Sequence, residues 1–302
     1  MASMSENGRG GALISDDFDD GAPGDVEAGD AAPLLPSGER PVASASKSKK
    51  MTMNLKKVAM GENPWFLTST IVSEFLAVLT LGLIIQLARG FYPADPVAGS
   101  IGIGGGFMGV YFFFSTLYTP VHLNPMHTVL HMICGNEGIL SGMLRIVFQL
   151  AGNFAAAGIS RPLLDSNYVN TAIKLGSGIS DLEGLFVETM GEIFFGLVII
   201  QLALYAGRGV SIPLSSFILG VAIIGFQTIA YPITAASFNM FRWLATNAVG
   251  GSTVLYFTED WWVYLLAPFI ALVIVLAIHF FFKWLKDRAT EWTVANGSIK
   301  AP

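Results

Sequence analysis

Six stretches of the chain stay apolar for about 20 residues or more: 65–89, 99–120, 139–160, 185–207, 211–233 and 261–284. A bilayer core about 30 Å thick needs about 20 apolar residues in a helix that crosses it, so each stretch predicts a transmembrane helix. Two further apolar pieces, 125–135 and 240–250, are too short to cross. Each begins directly after an asparagine, the first in "HLNPMHT" (His122 to Thr128) and the second in "SFNMFRW" (Ser237 to Trp243).

The order of these pieces repeats. Glu74 interrupts the first span and Glu192 the fourth; Asn124 follows Glu74 by 50 residues and Asn239 follows Glu192 by 47. Three spans and a half-span therefore occur twice. An odd number of spans per copy forces the second to insert upside down, which makes an inverted repeat. Irregular backbone at membrane depth survives only where protein buries it or where it lines a wet cavity. The two half-spans are thus expected to enter from opposite faces and meet near the midplane. The expected fold class is all-α and integral to the membrane: six transmembrane helices plus two re-entrant half-helices.

Composition agrees. Hydrophobic residues make up 53% of the 302 positions and charged residues 13%, against about a quarter charged in soluble domains. Lys47, Lys49, Lys50, Lys56 and Lys57 precede the first span, and Lys283, Lys286 and Arg288 close the last. The positive-inside rule then puts both termini in the cytosol, as an even number of spans requires. Residues 1–60, acidic and rich in Gly, Ala, Ser and Pro, read as a disordered tail rather than a cleavable signal peptide. A membrane domain is expected over 61–287, with repeats at 65–160 and 185–284, followed by a short tail, 288–302. One cysteine, Cys134, excludes a disulfide framework within the chain. No basic face interleaved with aromatics points to nucleic acid, and no nucleophile–base pair points to catalysis. "DAAPLL", with Asp30, Leu34 and Leu35, has the form of an acidic dileucine signal for a sorting adaptor. It makes an endosomal or vacuolar membrane an alternative to the plasma membrane. Ser46 and Ser48 sit among the tail lysines, where phosphorylation would weaken contact with anionic lipid.

Asparagine is a strong helix N-cap, and proline suits the first helical position because its missing N–H would have no partner there. Asn124–Pro125 therefore starts a helix at mid-membrane, and Asn239 repeats the cap. Each cap is expected to leave its side-chain NH₂ pointing into the space between the half-helices. Two helix N-termini aimed at one place bring about half a positive charge each. Such a place suits a neutral molecule with an oxygen lone pair and repels cations and protons. His127 and His131 have the i, i+4 spacing of a zinc-binding helix, but no adjoining glutamate or third ligand accompanies them, so no metal is expected. His127 is instead expected to face the passage, where protonation would add a cation and lower flux in acid. "GGGFMG" (Gly104 to Gly109) matches a nucleotide-loop spacing, yet within a membrane span it reads as close helix packing.

"HLNPMHT", "SFNMFR" and "WWVYLLAP" (Trp261 to Pro268), together with Glu74, Glu192 and Gln149, resemble the aquaporin/aquaglyceroporin (major intrinsic protein) family over residues 65–285. The resemblance implies a passive channel for water or small neutral solutes such as glycerol or urea, with no cofactor, assembled as a homotetramer. It assigns pore donors to Asn124 and Asn239 and a loop brace to His122. Arg242, three residues after Asn239, takes the place of the family's filter arginine. By ungapped spacing its companions are Ala236, Gln227 and Gly104, with Ile103 or Gly105 next in register. Glycine and alanine at these positions imply a wide ring. The departures from the family pattern are Met126, Met240, Phe241 and Trp243, which add bulk after each asparagine. With Pro125 and His127, the residues Met126, Met240 and Phe241 are expected at the centre of the passage. Bulk there allows a second reading, a non-conducting scaffold or adhesion protein with a plugged route.

Overall fold

The computed structural model describes residues 64–117, 119–206, 210–250 and 259–296. The N-terminal tail, with Asp30, Leu34, Leu35 and its lysines, lies outside the described residues. The helices are α1 Pro64–Phe91, α2 Pro96–Leu117, α3 Pro125–Ile133, α4 Ile139–Leu164, α5 Asp181–Ala206, α6 Ile212–Thr234, α7 Met240–Val249 and α8 Trp261–Ala295, with a short 3₁₀ turn at Asp165–Thr171. Six of them are long and apolar enough to cross a membrane. Together with the two short helices α3 and α7, they give an all-helical bundle of the expected class.

Several helices start where the sequence offers a cap. Pro64, Pro96 and Pro125 open α1, α2 and α3, giving up a backbone N–H that would have had no partner. Ser211 caps α6 by accepting from the Leu214 N–H at 3.4 Å. The last helix exceeds its expected span. It runs 35 residues to Ala295, because the charged segment after Lys283 keeps helix-forming residues and an Arg288–Glu291 ion pair at 2.9 Å. The helix therefore continues past residue 288 into the expected tail.

Packing follows the two-fold repeat. The most extensive contacts are α1 on α4, α5 on α8, and α2 on α6; the first two are equivalent pairs, and the third joins equivalent helices of the two halves. Small residues permit the close approach. A Cβ on Gly82 would lie 2.6 Å from Ala156, and one on Gly152 2.9 Å from the Phe75 carbonyl, across α1 and α4. Between α2 and α6 the arrangement is reciprocal: a Cβ on Gly104 would meet the Gly220 carbonyl at 2.7 Å, and one on Gly220 the Gly104 carbonyl at 2.8 Å. Large apolar side chains such as Phe113, Ile229 and Val273 are exposed on the bundle's outside. Glu74, Arg145, Gln149, Glu188 and Glu192 are buried within it.

Candidate functional site

The two half-helices begin against one another. Asn124 caps α3 by accepting from the Met126 N–H at 2.9 Å. Asn239 caps α7 by accepting from Phe241 N–H at 2.9 Å and Arg242 N–H at 3.2 Å. The residue before each asparagine, Leu123 or Phe238, has left-handed backbone, φ 64° and 47°, a conformation that costs a non-glycine residue energy and persists only where its surroundings hold it. Here the reason is reciprocal bonding. Asn124 Nδ2 donates to the Phe238 carbonyl at 2.7 Å, and Asn239 Nδ2 donates to the Leu123 carbonyl at 3.0 Å. The side-chain amides expected to point freely into the passage thus each commit one N–H to tying their own helix start to the opposite loop.

Buried carboxylates hold these loops. Glu74 accepts from the His122 and Leu123 N–H groups at 3.0 Å and 2.6 Å, from Gln149 Nε2 at 2.8 Å and from Arg145 Nη1 at 2.6 Å. His122 Nδ1 lies 3.2 Å from the Thr128 hydroxyl, and its ring stacks on His131 with centroids 4.4 Å apart. In the second half the sequence pairing requires correction. The loop N–H groups of Ser237 and Phe238 donate at 2.9 Å and 2.7 Å to Glu188, not to Glu192. The glutamates are one turn apart on α5, so both are buried on the same side, but only Glu188 reaches the loop. Glu192 instead accepts from Asn124 Nδ2 at 3.3 Å and lies 3.8 Å from His127 Nε2.

One cavity runs along these loops. Asn124, Asn239, His122, His127, Gln227 and Arg242 line it. Arg242 is held by the loop that bears it: Nε donates to the Ser237 carbonyl at 3.2 Å, and Nη2 to the carbonyls of Ala235, at 3.4 Å, and Ala236. Ala235 and Ala236 have left-handed backbone, φ 55° and 47°. Ala236 therefore contributes a carbonyl, while its methyl is buried with Phe195 and Phe238. Gln227 Nε2 donates to the same carbonyl at 3.0 Å. Gly104 does not line the cavity; it is spent on the α2–α6 contact. The neighbouring Ile103 and Phe107 face the cavity instead, so apolar side chains stand where the glycine of a wide ring was expected.

The added bulk also lies elsewhere than expected. Pro125, Met126, Met240 and Phe241 are absent from the lining. Met126 is buried among Leu130, Ile200, Ala271 and Val275, and Gly196 makes room for it: a Cβ there would stand 3.1 Å from Met126 Cε. Trp243 is buried and stacks on Tyr264 with centroids 5.8 Å apart. The half-helices thus turn Met126 and Trp243 toward α5 and α8 and their bonded starts toward the cavity. Of the expected central residues, His127 alone faces it. His127 does not stand there alone, since a Glu192 carboxyl oxygen lies within 3.8 Å of its Nε2.

Sequence reasoning missed Glu188, Arg145, Phe238 and Arg89. Glu188 follows the first half's glutamate-to-asparagine spacing of 50 more closely, at 51. Arg145 is a cation inside an apolar helix, a signal of function by its cost alone, and Arg89 is a cation in the last turn of another. Nothing local distinguishes Phe238 from other apolar residues.

The sequence matches the family model described as Major intrinsic protein over residues 63–279. Aquaporin C of Dictyostelium discoideum is 29% identical over 147 residues, 46% of this chain, which spans about half (53%) of that protein's length. Aquaporin-1 of Bos taurus is 26% identical over 252 residues, 74% of this chain and 87% of its own. The X-ray structure of the aquaglyceroporin from Plasmodium falciparum superposes with a TM-score of 0.63 at 18% identity, covering 69% of this chain and 93% of that one, a likeness of fold. Six apolar helices long enough to cross a bilayer, two mutually bonded half-helices and a family match over more than half its length agree: this chain, a multi-pass membrane protein, belongs to the major intrinsic protein family.

Proposed function

We propose that the protein is a passive channel for water and small uncharged solutes that turns away ions and protons. The observation that carries this reading is the convergence of two capped helix starts, at Asn124 and Asn239, on a cavity that Arg242 also lines. The partial positive charge of two helix N-termini and a guanidinium disfavour cations, while hydrogen-bond donors there suit an oxygen lone pair. Apolar walls from Leu81, Ile103, Phe107, Phe195 and Ile199 face this polar side, an amphipathic passage suited to solutes such as glycerol or urea. The named aquaporins support the same class of cargo. The second reading, a plugged, non-conducting scaffold, relied on bulk from Met126, Phe241 and Trp243; the absence of all three from the cavity lining favours the channel over it. Cytosolic termini, a homotetramer with one passage per subunit, and a plasma or endosomal/vacuolar membrane complete the proposal.

Stopped-flow swelling of proteoliposomes in water, urea and glycerol gradients tests it. Flux above empty vesicles is expected, with loss when Arg242 is replaced by Trp. Rates equal to empty vesicles for all three would refute the channel.

A further inference from the structure

Arg89 ends α1 and is only 3% exposed. Its Nη2 donates to Gln227 Oε1 at 2.6 Å, and its guanidinium carbon lies 3.5 Å from the centroid of the Tyr231 ring. Nη1 lies against Gly99, where a Cβ would stand 3.0 Å away. Nε and Nη1 are buried without an acceptor, and no carboxylate pairs with this guanidinium among the described residues. A buried cation with no counter-ion is costly even in the last turn of a helix, whose carbonyl ends favour positive charge, and that cost points to a functional role. Gln227 relays the contact, because the oxygen that receives its Nε2 is the Ala236 carbonyl that also receives Arg242. Arg89, Gln227, Ala236 and Arg242 thus form one bonded chain between two guanidiniums at the Arg242 end of the cavity.

We propose that Arg89 is a second specificity-determining residue of this channel, one that orients the Gln227 amide and supplies a second barrier to cations. The inference rests on the channel reading above. Because Arg89 fixes the Gln227 oxygen, the amide NH₂ must face the loop, and the cavity meets a set donor rather than an amide free to flip. The slot between Tyr231 and Gly99 fits a flat, forked guanidinium that can stack and donate together. An ammonium would keep the charge and lose that geometry. Two guanidiniums at one end of the passage also mean that removing Arg242 alone leaves a second positive charge directly behind Gln227, which lines the cavity.

The test uses the full chain in proteoliposomes, reading Na⁺ and proton leak with entrapped indicators alongside urea and glycerol swelling. Arg242→Val is expected to stay nearly cation-tight. Adding Arg89→Met to it is expected to raise the leak about tenfold, equivalent to about 1.4 kcal/mol of lost barrier. Gln227→Leu should change the urea-to-glycerol ratio with no rise in leak. Arg89→Lys should hold the leak low while moving that ratio the same way, which separates positioning from charge. Size-exclusion profiles in detergent certify each variant as folded, and the lysine variant keeps the charge should the methionine variant fail that check. A double variant no leakier than Arg242→Val, or an Arg89→Lys ratio equal to wild type, overturns the proposal. Wild-type vesicles without solute flux would instead sink the channel reading, while the leak comparison would still judge Arg89.

Discussion

Glu188 and Glu192 show what a count along the chain can and cannot decide. Both are glutamates in one apolar helix, four residues apart and so on one face, and the sequence alone makes either a partner for the second loop. Only the fold separates the carboxylate that takes the Ser237 and Phe238 N–H groups from the one that meets Asn124 and His127. The consequence is measurable. Glu188→Gln replaces charge-assisted bonds with neutral ones, and bonds to charged groups contribute about 1.5–3 kcal/mol each. Thermal unfolding in detergent is therefore expected to show a clear loss for Glu188→Gln. The loss should be smaller for Glu192→Gln, whose bonds at 3.3 Å are long. Equal losses would mean that the loop does not depend on Glu188. Glu74, by contrast, was legible because no second carboxylate competes with it in α1.

At the level of elements, the half-helices were readable because their starts carry explicit chemistry: an asparagine cap in both and a proline in one. Their mutual bonding was not, since the left-handed turns at Leu123 and Phe238 arise from the opposite loop rather than from their own residue types. That coupling predicts non-additivity. Asn124→Ala and Asn239→Ala each remove a cap, about 1 kcal/mol, and each also removes a bond to the other loop. Once one is gone, the turn that the second relied on is already relaxed. The double variant should then lose less than the sum of the singles, by the roughly 0.5–3 kcal/mol typical of coupled neighbours, in a cycle read from midpoints of denaturation. Strict additivity would show that the two loops stand independently. Gly104 was misplaced for a related reason: spacing identifies a span, but a one-residue rotation exchanges the cavity wall at Ile103 for the α2–α6 contact.

Across the whole molecule, the inverted repeat could be counted from the sequence, because three spans and a half-span recur with their polar marks. The passage itself could not, because its walls depend on how each half-helix is rotated about its axis. Departures from a family pattern look as if they must change the pore, yet Met126 is directed at α5 and α8 and matched by Gly196, whereas Phe238, the residue just before the second asparagine, lines the cavity with Phe195 and Phe107. Stability and selectivity should therefore respond to different residues. Met126→Ala empties a packed site, where such truncations cost about 2–5 kcal/mol, and it is expected to lower the unfolding temperature while leaving relative urea and glycerol rates unchanged. Phe238→Ala removes a ring from the wall and should raise the glycerol rate relative to water, beyond any loss of folded protein measured in the same preparation. A shift in solute preference from Met126→Ala, with none from Phe238→Ala, would mean that solutes pass on the other side of the half-helices.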